Sequence, residues 1–267
     1  LSAASPARGL NLFSAVTAAA AVGLLAYLAG RITRSAVAGS AAGLLLAFSF
    51  TFWTQAIIAE VYALHLALIA ACLIALHAYA NRPTAGRLVL FYGVYALSFG
   101  NHLAMILLLA PFALFLLSVA PAAAAPWRPK MLLLAAAIAC GGALLYLPNL
   151  VYVWTSLDAP PGWSDRLSAF WFDTTKADWR ESMILGVASA EWRSRVAMWA
   201  WDARQQFGLP GIAIAVAGII RLWRQARPWA LLIVVAYAIS TVFAFTYNVG
   251  DPHVFFLPGH FFTALAA

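Results

Sequence analysis

The polar residues that could do chemistry in this chain fall in a few short stretches between apolar runs. Glu60 is the only acid before Asp158, and it stands where an apolar helix begins, close to Tyr62 and His65. A carboxylate at the edge of a membrane helix is costly, so it is expected to have a function. It can act as a base, a metal ligand or an acceptor for sugar hydroxyls. The structural alternative is an acid that stabilises a helix N-terminus by about 0.3–1 kcal/mol.

Two further stretches combine an amide or an acid with an imidazole. Asn101 and His102 follow one apolar run in LSFGNH, and Asp251 and His253 follow another in YNVGDPH. Both stretches could be simple turns, because Gly-Asn and Asp-Pro pairs favour turns. The functional interpretation places these side chains at the mouth of one cavity, together with Glu60. Neither interpretation is preferred on position alone.

The segment after Pro160 carries the remaining polar candidates. Asp165 stands in GWSDR, where a helix N-cap or a turn is the simpler explanation. Arg166, Lys176 and Arg180 follow, and they could meet an anionic head group such as a lipid phosphate. For any one of these three cations, a solvated or lipid-contacting charge is the simpler explanation.

The composition excludes a soluble protein. Of the 267 residues, 64% are hydrophobic and only 9% are charged, whereas a soluble domain carries about 25% charge. The apolar runs are helix-length and rich in Leu and Ala, unlike the ~10-residue alternating strands of a membrane barrel. We therefore expect an all-α, polytopic transmembrane bundle. The net charge of +7 then concerns loop orientation and anionic lipid rather than nucleic acid.

Basic and neutral connections alternate along the chain. Four short loops, at 31–34, 82–87, 128–130 and 221–227, hold nine of the sixteen Lys and Arg residues and no acid. The alternate connections near 54–60, 100–102 and 249–253 hold no Lys or Arg. The positive-inside rule puts the basic loops in the cytoplasm and the acids outside. About nine apolar segments are predicted, at 10–30, 36–53, 56–80, 88–100, 103–120, 131–154, 209–226, 229–248 and 254–267.

Residues 155–208 differ in character from the apolar runs on each side. Pro-Pro-Gly forces a turn, and AEWRSRVAMWAWDARQQF predicts an amphipathic helix with Trp192, Val196 and Trp199 on one face, of a kind that lies along the membrane interface. We expect transmembrane helices over 1–154, an outer loop over 155–208 and further transmembrane helices over 209–267. Because the chain starts at Leu and ends within an apolar segment, we expect a fragment of a longer protein.

The sequence lacks the motifs of several enzyme classes. It contains no G-x-x-x-x-G-K-[ST], no H-E-x-x-H, no paired C-x-x-C and no G-x-S-x-G, which argues against an ATPase, a zincin or a serine hydrolase. Cys72 and Cys140 both fall inside apolar segments, so neither a disulfide framework nor a metal site is predicted.

Several motifs together resemble one membrane-protein family. FWTQAIIAEVYALH is followed about forty residues later by LSFGNHLAMILLL; ARGLNLFSAVTAAAAVGLL, PPGWSDRLSAFWFDTT and YNVGDPHVFFLPGHF match in the same order. The chain is similar to a multi-pass family formerly labelled a domain of unknown function. Its animal members are protein O-mannosyltransferases that act on IPT-type domains of plexins. The family belongs to the GT-C class of membrane glycosyltransferases.

The resemblance implies inverting transfer of a sugar from a polyprenyl-phosphate donor to a protein or glycan hydroxyl at the outer leaflet. The class places its catalytic acid in the first outer loop. No acid precedes Glu60, so the main base is expected upstream of Leu1, and this piece alone is expected to be inactive. Glu60, His102 and Asp251 are then supporting catalytic residues, and Tyr62, His65, Asn101, Asp165, Arg180 and His253 are candidates for substrate binding.

Two other functions remain open at this stage. A transporter or lipid flippase would carry charges deep in its helices and have related halves. The helix centres are expected to be free of acids and bases, which argues against a transporter. For a non-catalytic scaffold, whose outer loop would bind a partner, substitution of the outer acids would have no effect on activity. No cofactor or resident metal is predicted, and whether a divalent cation assists the leaving phosphate stays open. The expected location is the bacterial inner membrane, with lipid as a partner and the active face towards the periplasm.

Overall fold

The computed structural model describes residues 5–122, 125–176, 180 and 183–267, and its regular elements there are all helical. The predicted all-α class is therefore confirmed. The α-helices are α1 (Pro6–Thr33), α2 (Ala36–Ala47), α3 (Phe50–Ala56), α4 (Tyr62–Asn81), α5 (Ala85–Phe99), α6 (Leu109–Val119), α7 (Pro129–Ala143), α8 (Leu147–Thr155), α9 (Trp163–Thr175), α10 (Trp192–Gln225), α11 (Arg227–Thr246) and α12 (Leu257–Ala266). Short 3-10 turns cover Leu103–Leu108, Leu144–Tyr146, Ser189–Glu191 and Pro252–Phe256.

Several of these helices are long and apolar enough to cross a membrane. Among the described residues, five candidate spans occur at Pro6–Thr33, Tyr62–Asn81, Pro129–Thr155, Ser189–Gln225 and Arg227–Thr246. A sixth span results if α2 and α3, which meet at a bend of 71°, are counted together. The chain is thus a multi-pass membrane protein. The expected count of about nine segments is not established, because α5 and the Leu103–Val119 segment are shorter than a full span.

The core is built around α4, which packs on α1 and α5. Its side chains Leu66, Ile69, Leu73 and Leu76 are completely buried. They recur every three or four residues, so one broad face of the helix is turned into the protein. In a membrane, such a face is stabilised by close packing rather than by escape from water.

The first two helices approach each other closely because small residues line their contact. A Cβ atom added at Gly39 of α2 would lie 2.9 Å from the backbone nitrogen of Gly30 in α1, and closer still to the carbonyl oxygen of Ala26. Small residues at a helix crossing let two backbones meet in this way. Ser35 begins α2 by accepting a hydrogen bond from the Ala38 N–H at 3.2 Å.

Contacts at the helix ends divide the bundle into two opposite ends. Near the basic connections, the ring of Trp229 packs 4.6 Å from Phe115 and 5.8 Å from His77. At the other end of the same helices, Tyr62 meets Phe255 at 5.9 Å. Residues next to the basic connections at 82–87 and 221–227 therefore lie together at one end of the bundle.

Helix α10 is kinked where the predicted outer loop gives way to the last membrane helices. Gly208 has φ 60° and ψ 173°, and Pro210 follows two residues later. Left-handed φ values favour glycine, which has no Cβ, and proline cannot complete the helical hydrogen-bond ladder. The part of α10 before Gly208 can therefore run at an angle to the part that follows it.

Candidate functional site

Two residues of α4 meet the connection between α5 and α6. Tyr62 and His65 are three positions apart, which places them on one face of the helix. The ring of His102 lies 6.1 Å from the ring of Tyr62 and 4.8 Å from the ring of His65. The structure thus brings together three of the residues that the sequence singled out. We call Tyr62, His65 and His102 the mouth cluster.

Aromatic side chains from the segment after α11 cover the mouth cluster. Phe255 meets Tyr62 edge to face at 5.9 Å and packs 4.6 Å from Tyr247. A cleft of about 20 Å³ remains between them, lined by all three members of the cluster. That volume suits about one water molecule. The recess at this end of the described residues is therefore narrow.

The chemistry of His102 follows from its surroundings. Its Nδ1 accepts a hydrogen bond from the Ala104 N–H at 3.1 Å, so the proton of the neutral ring is on Nε2. Burial lowers the pKa of His102 below its usual value, because removing the ring from water disfavours its charged form. At neutral pH, His102 is therefore an uncharged imidazole whose Nε2–H can donate to an oxygen atom.

His65 is the second imidazole of the cluster and is 3% exposed. Its Nδ1 is buried and has no hydrogen-bond partner among the described residues. Buried polar atoms are usually paired, often with ordered water. Because His65 also lines the cleft, its unpaired Nδ1 marks a position where a small polar group can bind.

Two carboxylates form the rim of the mouth cluster. Glu60 and Asp251 are exposed, and both lie close enough to Tyr62 for their charges to act on it. Burial, with a smaller contribution from Asp251, raises the pKa of Tyr247. The rim is thus acidic and carries neutral donors beside it. Such an arrangement can accept hydrogen bonds from hydroxyl groups of a ligand.

The main chain at Glu60 is held by α1. The Ser14 hydroxyl donates to the Glu60 carbonyl oxygen at 3.3 Å and accepts from the Glu60 N–H at 3.4 Å. Ser14 itself is 1% exposed. The carboxylate is free to meet a ligand while its backbone is fixed.

The other predicted residues lie at different distances from the cluster. The Asn101 Nδ2 donates to the Val61 carbonyl oxygen at 3.2 Å, which ties the two sequence stretches together. His253 is exposed on the turn after Asp251. Asp165 lies in the first turn of α9, and Arg180 is exposed. No hydrogen bond, ion pair or ring contact of the described residues joins these last two to the mouth cluster.

A buried polar network was missed by the sequence interpretation. The Asp202 Oδ2 lies 2.7 Å from His260 Nε2, and both side chains are almost fully buried. The Gln206 amide donates to Asp202 Oδ1 and to the Thr51 hydroxyl, each at 2.8 Å, and its oxygen accepts from the Thr51 N–H at 3.0 Å. The network joins α3, α10 and α12.

The signal for this network was a stripe of polar residues on α10. Asp202 and Gln206 are four apart, and Arg195 precedes Asp202 by seven; all three are buried. The sequence interpretation followed a neighbouring face of the same helix, on which Trp192 and Val196 are about half exposed. A helix in lipid can turn its apolar face outwards and its polar face inwards. The expectation that helix interiors lack acids and bases was therefore wrong at His260.

The fold and the mouth cluster define a multi-pass membrane protein with an acidic, imidazole-bearing rim at one end of its helices. No group of three His, Cys, Asp or Glu residues in the described parts of the chain is placed to bind a metal ion. Residues 1–123 match the family model of the protein O-mannosyl-transferase TMEM260 N-terminal domain. This match confirms the family resemblance over that part of the chain. Neither a curated protein nor a solved structure gives a match.

Proposed function

We propose that this protein is an integral membrane glycosyltransferase of the GT-C class, which transfers a mannose from a polyprenyl-phosphate donor to an acceptor hydroxyl. The observation that carries the proposal is the match of residues 1–123 to a protein O-mannosyltransferase family. Glu60, Tyr62, His65, Asn101 and His102 all lie within those residues. The cluster and the family match therefore point to the same region.

The proposed reaction takes place at the end of the bundle that carries the acidic rim. The basic loops favour a cytoplasmic position for the opposite end. In a bacterial inner membrane, the rim would then face the periplasm, where it could reach a donor in the outer leaflet and a protein or glycan acceptor. The polyprenyl chain of the donor would stay in the lipid. Its sugar-phosphate head would lie at the membrane surface, where a rim at the helix ends can contact it.

In the proposed step, the acceptor oxygen attacks C1 of the sugar while a carboxylate takes its proton. The bond between C1 and the phosphate oxygen breaks, and the lipid phosphate leaves with the electron pair. Glu60 and Asp251 would support this by accepting hydrogen bonds from sugar or acceptor hydroxyls. His102 would donate from Nε2 to a phosphate or sugar oxygen, beside Tyr62. Stronger hydrogen bonds in the transition state than in the ground state would accelerate the reaction.

The remaining candidates are assigned to binding. We propose that Arg180 contacts the anionic phosphate from the outer segment, since a guanidinium suits phosphate oxygens. His65 and Asn101 would hold the two sides of the cleft in position, namely the start of α4 and the connection after α5. Asp165 and His253 would contact the acceptor at the surface.

The test uses membranes that contain the full-length protein. Polyprenyl-phosphate mannose carrying tritiated mannose is added, and the label in precipitated protein is counted. The double variant Glu60→Gln/His102→Ala should lose transfer by about tenfold or more, since two hydrogen bonds to the reacting groups are removed. The matched control Glu191→Gln/His77→Ala changes one acid and one imidazole outside the cluster and should retain transfer.

Two results would contradict the proposal in different ways. Unchanged transfer by Glu60→Gln/His102→Ala, at equal protein level, would remove the mouth cluster from the site. Labelling from a nucleotide mannose, but not from polyprenyl-phosphate mannose, would remove the lipid donor.

A lipid transporter is the second candidate, and the buried Asp202–His260 pair favours it. Ionisable residues inside membrane proteins often mark a transport path. Vesicles with a fluorescent lipid in one leaflet distinguish the two functions, because a flippase would move the lipid without any sugar transfer. Loss of that movement in Asp202→Asn, with mannose transfer absent in the unchanged protein, would support the transporter.

A further inference from the structure

A cavity between α10, α11 and α12 combines an apolar lining with unpaired polar atoms. Its volume is about 550 Å³, and it is open on one side. A cavity of this size suits a small ligand or part of a lipid chain. Apolar residues that line it include Trp199, Phe207, Ile212, Ile233, Val234 and Phe262.

Two polar side chains of this lining are more than nine-tenths buried, and each has one atom without a hydrogen-bond partner among the described residues. His260 is 5% exposed and Thr241 is 8% exposed. His260 Nδ1 and Thr241 Oγ1 have no hydrogen-bond partner among the described residues. Buried polar atoms in native proteins are nearly always paired. These two atoms therefore indicate a polar group that binds in the cavity.

The two atoms belong to the same wall. A Cβ atom added at Gly259, the neighbour of His260, would lie 3.4 Å from Thr241 Oγ1 and 3.6 Å from the ring of Tyr237. The Tyr237 hydroxyl accepts a hydrogen bond from Trp199 Nε1 at 3.2 Å. Gly259 thus leaves space beside Thr241, and the polar end of the cavity is compact.

The orientation of His260 is fixed from behind. Its Nε2 faces Asp202 Oδ2 at 2.7 Å, while the other Asp202 oxygen accepts from Gln206. The Nδ1 edge of the ring is therefore the one left for a ligand. An anionic ligand at this edge would be repelled by the Asp202 carboxylate on the far side of the ring.

A hydroxyl group has the hydrogen-bonding capacity that both unpaired atoms require. It can donate to an imidazole lone pair or accept from an imidazole N–H, and it can exchange either role with the threonine hydroxyl. A hydroxyl group also carries no charge, and a low-dielectric cavity disfavours charged groups. The apolar lining in turn suits a hydrocarbon chain.

We propose that this cavity binds a membrane lipid whose head is a single hydroxyl, a long-chain alcohol in chemical class. Its hydroxyl bonds to His260 Nδ1 and Thr241 Oγ1, and its chain lies along Ile212, Ile233 and Val234. The proposal does not depend on the sugar-transfer function. It assigns a role to an Asp–His pair that the mouth cluster does not use.

The test is photolabelling of the purified full-length protein in detergent with hexadecanol that carries a diazirine at its chain end. Label should map to peptides of α10, α11 and α12. Unlabelled hexadecanol should compete at lower concentration than hexadecane or hexadecyl phosphate. Equal competition by hexadecane would overturn the proposal in favour of an unspecific apolar groove. Stronger competition by hexadecyl phosphate would overturn it in favour of an anionic head group.

Thr241→Val removes the hydroxyl with little change of shape, and it should weaken competition by hexadecanol about three- to tenfold, as for one lost hydrogen bond. Thr246→Val in the same helix is the control, because the Thr246 hydroxyl already donates to the Val242 carbonyl oxygen at 2.9 Å. Gly259→Ala fills the space beside Thr241 and should weaken competition as well. Full affinity in both Thr241→Val and Gly259→Ala would overturn the assignment of the polar end.

Discussion

The imidazole rings of His65 and His102 lie 4.8 Å apart, with their planes at 37°. One ring belongs to the first turn of α4 and the other to the connection after α5. Two neutral imidazoles can pack in this way without repulsion, whereas two protonated rings would repel each other. The stability of this end of the bundle is therefore expected to depend on pH.

Acidification should destabilise the protein through His102. Because burial lowers the pKa of His102 in the folded state, the unfolded state binds a proton more readily, near its ordinary pKa of about 6.5. Stability is then full above that pH and falls as the pH drops towards the lowered folded pKa. Thermal unfolding in detergent between pH 7.5 and 5 measures the slope.

The variant His102→Asn should flatten this pH dependence. Asparagine removes the titrating group, and its side-chain oxygen can still accept from the Ala104 N–H. His253→Asn, at an exposed position, is the control. An identical slope in His102→Asn and the unchanged protein would show that the pH dependence has another origin.

The contact between α1 and α2 should not tolerate an added methyl group. Gly39→Ala would force the two helices apart, since its Cβ would overlap backbone atoms of α1. We expect a loss of about 1–3 kcal/mol, measured as a lower unfolding temperature in detergent. Gly23→Ala, where nothing lies within 4 Å, should be neutral or slightly stabilising. Equal stability of the two variants would contradict the close approach.

The two hydrogen bonds between the Ser14 hydroxyl and the Glu60 backbone should contribute to the stability of this part of the chain. Ser14→Ala removes both hydrogen bonds to the Glu60 backbone and should cost about 1 kcal/mol. Faster hydrogen exchange of the Glu60 amide is the specific readout. Ser118→Ala is the control, because the Ser118 hydroxyl bonds only within its own helix. Unchanged exchange at Glu60 would mean that the loop is held by other contacts.

The buried network should be sensitive to its central acid. Asp202→Ala leaves His260 Nε2 and the Gln206 amide without their partner, and we expect a loss of about 3–5 kcal/mol. Chemical unfolding in mild detergent measures it. Glu191→Ala, an exposed acid on the turn before α10, should change stability little. A small effect of Asp202→Ala would indicate that water replaces the lost carboxylate.

Much of the fold could be predicted because hydrocarbon length and loop charge are local properties of a sequence. The apolar runs became helices, and Tyr62, His65, Asn101 and His102 came together as their positions at helix ends required. The number of full spans could not be predicted, since broken helices such as α2 and α3 depend on how neighbours satisfy their backbone.

The Asp202–His260 pair could not be predicted for a different reason. The two residues belong to separate helices, and only the packing of α10 against α12 decides that they face each other. A single polar stripe on α10 is equally compatible with a helix that turns this stripe to water. Long-range contacts of this kind are invisible to periodicity, which reports only what one helix does.

The Ser14 hydroxyl binds the backbone carbonyl and amide groups of residue 60. Every residue except proline has both of these groups. The side chain at that position is therefore not needed to keep the loop in place. Selection can try other side chains there without first rebuilding the support. The rim of the mouth cluster is for that reason an easy place for relatives of this protein to diverge in what they recognise.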